Sequence, residues 1–232
     1  MRLNEIKRTD LRMTTFQKAG ALAAWAMALC YIIGFAIFIF YLDPPSFTEP
    51  VERVTFLIAN KILLLSTMSI IYIFAGLALL VLILALHERL KSEAQSLMQV
   101  ATAIGIIWVG VVVASGMIFT TGAESVIALY AADPERAATL WIAVGLIQNG
   151  LGGGTELLGG LWIIAVSWIA LRSGKLSKPL NWLGFLIGIA GVLSIVPAWS
   201  AFVDIFGLGQ IVWFIWIGAV MLFSAERDEV NP

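Results

Sequence analysis

Six stretches of this chain, residues 19–42, 63–86, 97–120, 142–171, 181–196 and 201–224, are almost continuously apolar, and nothing else in it limits the fold so severely. The hydrocarbon core of a bilayer is about 30 Å thick, so a helix needs roughly 20 apolar residues to cross it. A membrane β-barrel would instead alternate apolar and polar side chains over strands of about 10 residues, and these runs do not alternate. The expected fold is all-α: a polytopic membrane protein with a bundle of about six transmembrane helices over residues 19–224. A basic segment, residues 1–18, precedes it, and an acidic tail, residues 225–232, is expected to follow without ordered structure.

The charge count points the same way. Only 12% of the residues are charged and 60% are hydrophobic, where a soluble domain carries about 25% charge. A net charge of −1 offers no field for nucleic acid or an acidic substrate. Cys30, the lone cysteine, excludes an internal disulfide and any cysteine-built metal site. His87 is the only histidine, which removes most zinc, haem and Ser-His-Asp arrangements. No catalytic residue, metal or cofactor is therefore expected, and an enzyme is the least favoured class.

Basic residues ahead of the first apolar run resemble a secretory signal. Residues 21–42 are too long for a signal's apolar core, however, and lack a small-x-small cleavage site. A lipoprotein signal would need a small residue where Leu29 precedes Cys30. The first helix is expected to be retained.

Orientation follows from the basic residues, which concentrate on the cytoplasmic side of membrane proteins. With the N-terminus inside, the inner segments hold Arg2, Lys7, Arg8, Arg12, Lys18, Arg89, Lys91, Arg172, Lys175, Lys178 and Arg227. The outer segments hold only Arg53, Lys61 and Arg136. The prediction is N-in, C-in. Trp141 and Trp199 then fall near the outer interface, and Trp168 and Trp182 near the inner one. In the outer connections, Thr48-Glu49-Pro50 and Asp133-Pro134-Glu135 have the look of helix starts that lengthen the second and fourth helices outward. The inner turn 172–179 is short enough to make the fourth and fifth helices antiparallel neighbours.

That inner turn, Leu171-Arg172-Ser173-Gly174-Lys175-Leu176, is followed by Leu180-Asn181-Trp182-Leu183-Gly184, and the sixth run carries Gly207-Leu208-Gly209-Gln210-Ile211-Val212-Trp213. Together these resemble a family of small bacterial membrane proteins, domain of unknown function 4386. The resemblance implies a six-helix, multi-pass protein of the bacterial cytoplasmic (inner) membrane with no assigned activity. It brings no functional residues with it.

Glu156 is the sharpest candidate for chemistry, because a charged side chain inside a span costs about 2.5–3.5 kcal/mol on insertion scales. Helical spacing aligns Gly145, Asn149, Gly152, Glu156, Gly160 and Ser167 on one small, polar seam, with Gln148 and Thr155 beside it. Such a seam is expected to face protein. It reads either as a proton or ligand site, whose carboxyl is neutral when unoccupied because burial disfavours charge, or as a packing seam with one hydrogen-bonded carboxyl. The adjoining run Gly150-Leu151-Gly152-Gly153-Gly154 has a similar pair of readings. It unwinds the helix, as in transporters, or it admits a neighbouring helix, which is the favoured reading. The first half of the chain has no matching glycine-broken helix, as an inverted-repeat transporter would require.

Elsewhere, Lys61 and Asp204 stand near the outer ends of the second and sixth spans, with Asn60 and Gln210 nearby. They form an outward-facing polar pocket or, as favoured, leave Lys61 to reach the interface alone. Ser66, Thr67, Ser69 and Tyr72 read as polar glue, His87 as a solvated interfacial residue and Cys30 as an inert core residue. Gly184, Gly188 and Gly191 make a small-residue packing face on the fifth helix, to which Gly152 and Gly160 on the fourth are counterparts.

Two function classes follow ahead of catalysis. One is a non-catalytic accessory or scaffold subunit that packs in the lipid bilayer with itself, as a homo-oligomer, or with a membrane-protein partner. The other is a small-molecule or lipid binder or transporter that uses the polar seam around Glu156.

Overall fold

A computed structural model describes residues 2–43, 45, 47–153 and 156–230, with side chains placed for those between residues 15 and 223. The described residues form helices and turns, with no strand among them. In chain order the helices are α1 (Arg2–Ile37), α2 (Pro50–Ala59), α3 (Lys61–Met68), α4 (Ala75–Leu90), α5 (Gln95–Tyr130), α6 (Pro134–Gln148), α7 (Leu157–Ser173), α8 (Lys178–Leu193) and α9 (Ala201–Val230). Among the described residues, five stretches are long and apolar enough to cross a membrane: Thr15–Leu42, Lys61–Leu90, Gln95–Tyr130, Pro134–Ser173, which is interrupted at Asn149–Gly153, and Ala201–Phe223. Helix α8 is apolar but shorter.

Several helices outrun their apolar windows. Helix α5 continues to Tyr130 because nothing in residues 121–130 breaks it, and its polar side chains bond back to their own helix, Ser125 Oγ to Thr121 O at 3.0 Å for one. Asp133 and Pro134 then start α6, where the Asp133 carboxylate accepts the Arg136 N–H at 3.0 Å. An N-cap of this kind stabilises a helix by about 1 kcal/mol. Helix α9 likewise runs to Val230, so the tail expected to lack order is helical over residues 225–230. Its alanine, arginine and glutamates are adequate helix formers, and no glycine or proline precedes Pro232.

The outer loop after α1 holds a helix of its own. Glu52 accepts the backbone N–H groups of Thr48 and Glu49, at 2.9 and 3.3 Å, and so caps the start of α2. Those two donors hold the Glu52 carboxyl below the usual glutamate range. Helix α2 stops at Asn60, whose φ of −113° is non-helical, so the second span begins afresh at Lys61 instead of being extended by α2. Between α3 and α4 the segment Ser69–Phe74 widens into a π-helix. Thr67 and Ser69 hydroxyls bond back to the Leu63 and Leu65 carbonyls, at 2.7 and 2.8 Å, just where the ladder changes. Such back-bonding competes with the regular ladder and bends it.

The chain divides into two compact units. The first comprises Met1–Ala28, Leu77–Val109 and Glu156–Pro232, and its core is built on Trp162, Trp213, Phe206, Phe214, Met27 and Leu82, all fully buried. Within it the Trp25 indole donates to Ile215 O at 3.1 Å, and Arg89 donates to Gln17 and to the Lys175 carbonyl at 2.8 and 3.2 Å. His87 is half-buried and bonds to Thr102 at 2.7 Å, contrary to the solvated position expected for it. The Thr102 hydroxyl also lies 2.7 Å from Met98 O; with its proton on that carbonyl, His87 Nδ1 is the donor to Thr102. The second unit comprises Leu29–Gly76 and Gly110–Thr155. Its core gathers Leu42, Val54, Leu57, Leu64, Ala123, Val126, Ala137 and Ala138. Cys30 belongs to this unit and is only half-buried, not a core residue.

Candidate functional site

The fourth apolar run is not one helix. Helix α6 ends at Gln148, the segment Asn149–Gly153 forms a π-helical turn, and Gly152 takes φ 138°, ψ 15°, a conformation open to glycine almost alone. The glycine run therefore interrupts the helix, the less favoured of its two sequence readings. A Cβ on Gly152 would meet Val111 Cγ2 at an ordinary 3.5 Å. Backbone conformation, and not the close helix approach assigned from sequence, is what requires glycine there.

A broken helix exposes carbonyls that a continuous one would satisfy, and in an apolar setting they must find partners. In the second unit the Ser115 hydroxyl of α5 shares its proton between Val111 O at 2.9 Å and Gln148 O at 3.2 Å, and Tyr72 donates to Gly153 O at 3.2 Å. The Gln148 side chain is buried beside Gly153, while Asn149 is exposed. Thr155 and Gly154, also candidates from sequence, lie outside the described residues.

Glu156 belongs to the first unit and stands at the N-cap of α7, with φ −105°. The sequence placed it in mid-helix. Its backbone N–H, freed by the break, donates to Ser194 Oγ at 2.8 Å, and Ser194 in turn donates to Gly191 O at 2.7 Å. Glu156 is half-buried. The indole N–H of Trp108 lies beside its carboxyl but falls outside hydrogen-bond geometry.

Trp108 opens a series of buried tryptophans. Trp108 and Trp162 have ring centroids 5.8 Å apart, Trp162 and Trp213 5.9 Å, and Phe206 closes on Trp108 at 6.2 Å. The three indole N–H groups are buried without a partner among the described residues, as are Ser167 Oγ and Gln210 Oε1 in the same unit. Folded proteins leave few buried polar atoms unpaired, so this concentration sets the region apart from the rest of the core. Sequence reading found Glu156 and Gln210 but missed Trp108, Trp162, Trp213 and Ser194. The available signal was position: Trp108 and Trp162 sit deep inside apolar runs, away from the interfacial belts that tryptophan favours.

The remaining candidates separate from this site. Within the second unit, Lys61 Nζ lies 2.9 Å from Glu124 of α5, a partly exposed pair. Asp204 is exposed in the first turn of α9, where a negative charge suits the helix dipole. The small residues meet inside the first unit. A Cβ on Gly160 would lie 2.5 Å from Gly188 O, one on Gly188 would strike Ile164, one on Gly184 would strike Ser167, and one on Gly191 would strike Phe206. The seam drawn through a continuous helix is thus split: Gly160 and Ser167 are buried against α8, whereas a Cβ on Gly145 would meet no described atom of another element within 4 Å. No group of three or more histidine, cysteine, aspartate or glutamate residues that could hold a metal occurs among the described residues.

These features define a helical protein with several helices able to cross a membrane and one of them broken beside a carboxyl. No family model matches the chain, and no curated protein or solved structure matches it either.

Proposed function

We propose that this is a multi-pass protein of the bacterial inner membrane, with six spans and both ends in the cytoplasm, that binds a proton or a small polar ligand at Glu156. Helix α8 serves as the remaining span, reaching roughly 24 Å at 1.5 Å per residue and extended by the turn at Pro197–Trp199. Large apolar side chains stand exposed along the helices, Ile62 at 82%, Leu146 at 70% and Leu186 at 68% among them. A water-soluble monomer rarely displays so much apolar surface; acyl chains would cover it. The bacterial setting draws on the resemblance to domain of unknown function 4386. The orientation is tested by single cysteines in a Cys30→Ser background. Ser125→Cys is expected to react with an impermeant thiol reagent outside the cell, and Ser177→Cys is not. The reverse pattern would overturn the orientation.

One observation carries the binding reading. After the glycine interruption of the fourth apolar run, the Glu156 carboxyl stands at the start of α7 beside the indole N–H of Trp108. Half-helices of this kind build ion and substrate sites in transporters, and ionisable residues within spans mark function by default. Reconstituted in lipid, the protein is expected to give a titrating carboxyl band in infrared difference spectra, which Glu156→Gln removes. Glu124→Gln, which alters an exposed ion pair, should leave the band unchanged. A band that survives Glu156→Gln reduces Glu156 to packing glue. The accessory or scaffold reading draws less support, because the glycine faces that favoured it are filled within the chain.

A further inference from the structure

The first unit holds a second feature at the opposite end of α7 from Glu156, where the end of α7 passes the start of α5. A half-open cleft of about 380 Å³ is lined there by Glu93, Leu97, Trp168, Ile169, Arg172 and Ser173. Its two walls differ in chemistry. Leu97, Trp168 and Ile169 present apolar surface, with Leu97 and Trp168 exposed at 39% and 46%. At the rim, the Arg172 guanidinium stacks 5.9 Å from the centre of the Trp168 ring. No described carboxylate pairs with Arg172, whereas the one acid in the cleft, Glu93, is already engaged by Lys175 at 3.5 Å. The cleft thus carries an available, oriented positive charge above an apolar floor.

Both walls belong to the ends of helices that are apolar enough to span a membrane, so the cleft lies where lipid headgroups meet acyl chains. Arginine suits that position. Its planar fork can hold two phosphate oxygens at once, and stacking on an indole restricts it in advance. We propose that this cleft binds an anionic phospholipid, with the phosphate on Arg172 and the upper acyl chain along Leu97 and Trp168. The gradient from charge to hydrocarbon across one small cleft favours an amphiphile over a free phosphate. The proposal rests on the chain being a membrane protein and is independent of any role for Glu156.

The test is native mass spectrometry of the protein released from nanodiscs containing equal amounts of phosphatidylglycerol and phosphatidylcholine. The wild-type protein is expected to retain phosphatidylglycerol in preference by about fivefold, the increment typical of one basic residue at a membrane surface. Arg172→Gln should bring the two lipids to parity, while Lys178→Gln, an exposed lysine outside the cleft, should keep the preference. Should Arg172→Gln not fold, Ser173→Asp places a negative charge on the same rim and is expected to abolish the preference as well. An unchanged preference in these cleft variants, or an equal loss in Lys178→Gln, would overturn the proposal. A parallel titration with inorganic phosphate in detergent separates the two sources: phosphate binding as tight as that of the lipid would make this a site for a soluble anion and overturn the lipid assignment.

Discussion

Gly160→Ala is expected to destabilise the protein by about 3 kcal/mol, the upper part of the usual range for an overfilled core, and Gly160→Val to prevent folding of the first unit. The added Cβ would lie 2.5 Å from Gly188 O, 2.7 Å from Val192 N and 2.9 Å from the carbonyl carbon of Gly191. All three are backbone atoms of α8, which cannot turn aside as a side chain can. Relief requires α7 and α8 to separate, and separation would disturb every close contact between them, including Gly188 against Ile164 and Gly184 against Ser167. Gly110→Ala and Gly145→Ala provide the contrast, since neither would meet anything within 4 Å. Both should be neutral or stabilising by up to about 1 kcal/mol, through the better helix propensity of alanine. Thermal unfolding in detergent micelles compares the three directly. Equal melting temperatures for Gly160→Ala and Gly110→Ala would mean that the α7–α8 contact is looser than the backbone distances require.

The contrast among these glycines also marks how far a linear reading reaches. Hydropathy senses the surroundings of a segment, so the apolar runs and the all-helical character were legible in the sequence. Hydropathy does not sense where a helix stops. Helix α5 reaches Tyr130 because its first breaker is Asp133-Pro134, and α8 spans Lys178–Leu193, about a turn earlier than its apolar window, because it starts from Ser177 with Pro179 in its first turn. The partners that matter at the candidate site are distant in sequence. Ser115 caps Gln148 and Tyr72 caps Gly153, while Ser194 takes the N–H of Glu156. No periodicity in residues 142–171 can announce them. Tryptophan misleads for a related reason: the same side chain that is exposed at Trp168 and Trp182 is, at Trp108, Trp162 and Trp213, a large core residue whose polar edge finds no partner among the described residues. Lys61 finds Glu124 across 63 residues, beyond any local pattern.

Gly152→Ala is expected to cost about 1–3 kcal/mol, the usual penalty for an L-residue held in a sparsely populated backbone region, and to change the environment of Glu156. The penalty is conformational. At φ 138° an alanine is strained even though its Cβ would find only an ordinary contact with Val111. The chain can escape that strain by continuing α6 through residues 149–153, which would return the Gln148 and Gly153 carbonyls to a helical ladder and draw them away from the Ser115 and Tyr72 hydroxyls. Glu156 would then lie inside a helix instead of at the start of one, and its N–H would no longer be free for Ser194. Amide exchange across residues 149–153 should slow, because a π-helical turn becomes a regular α-helical one, and the carboxyl band of Glu156 should shift. Gly150→Ala is the control: Gly150 is in the same turn but has no positive φ and no neighbour within 4 Å, so neither readout should move. If Gly152→Ala lowers stability but leaves the Glu156 band in place, the break is a packing device and the carboxyl works independently of it. If both move together, the broken helix is what makes Glu156 a binding group.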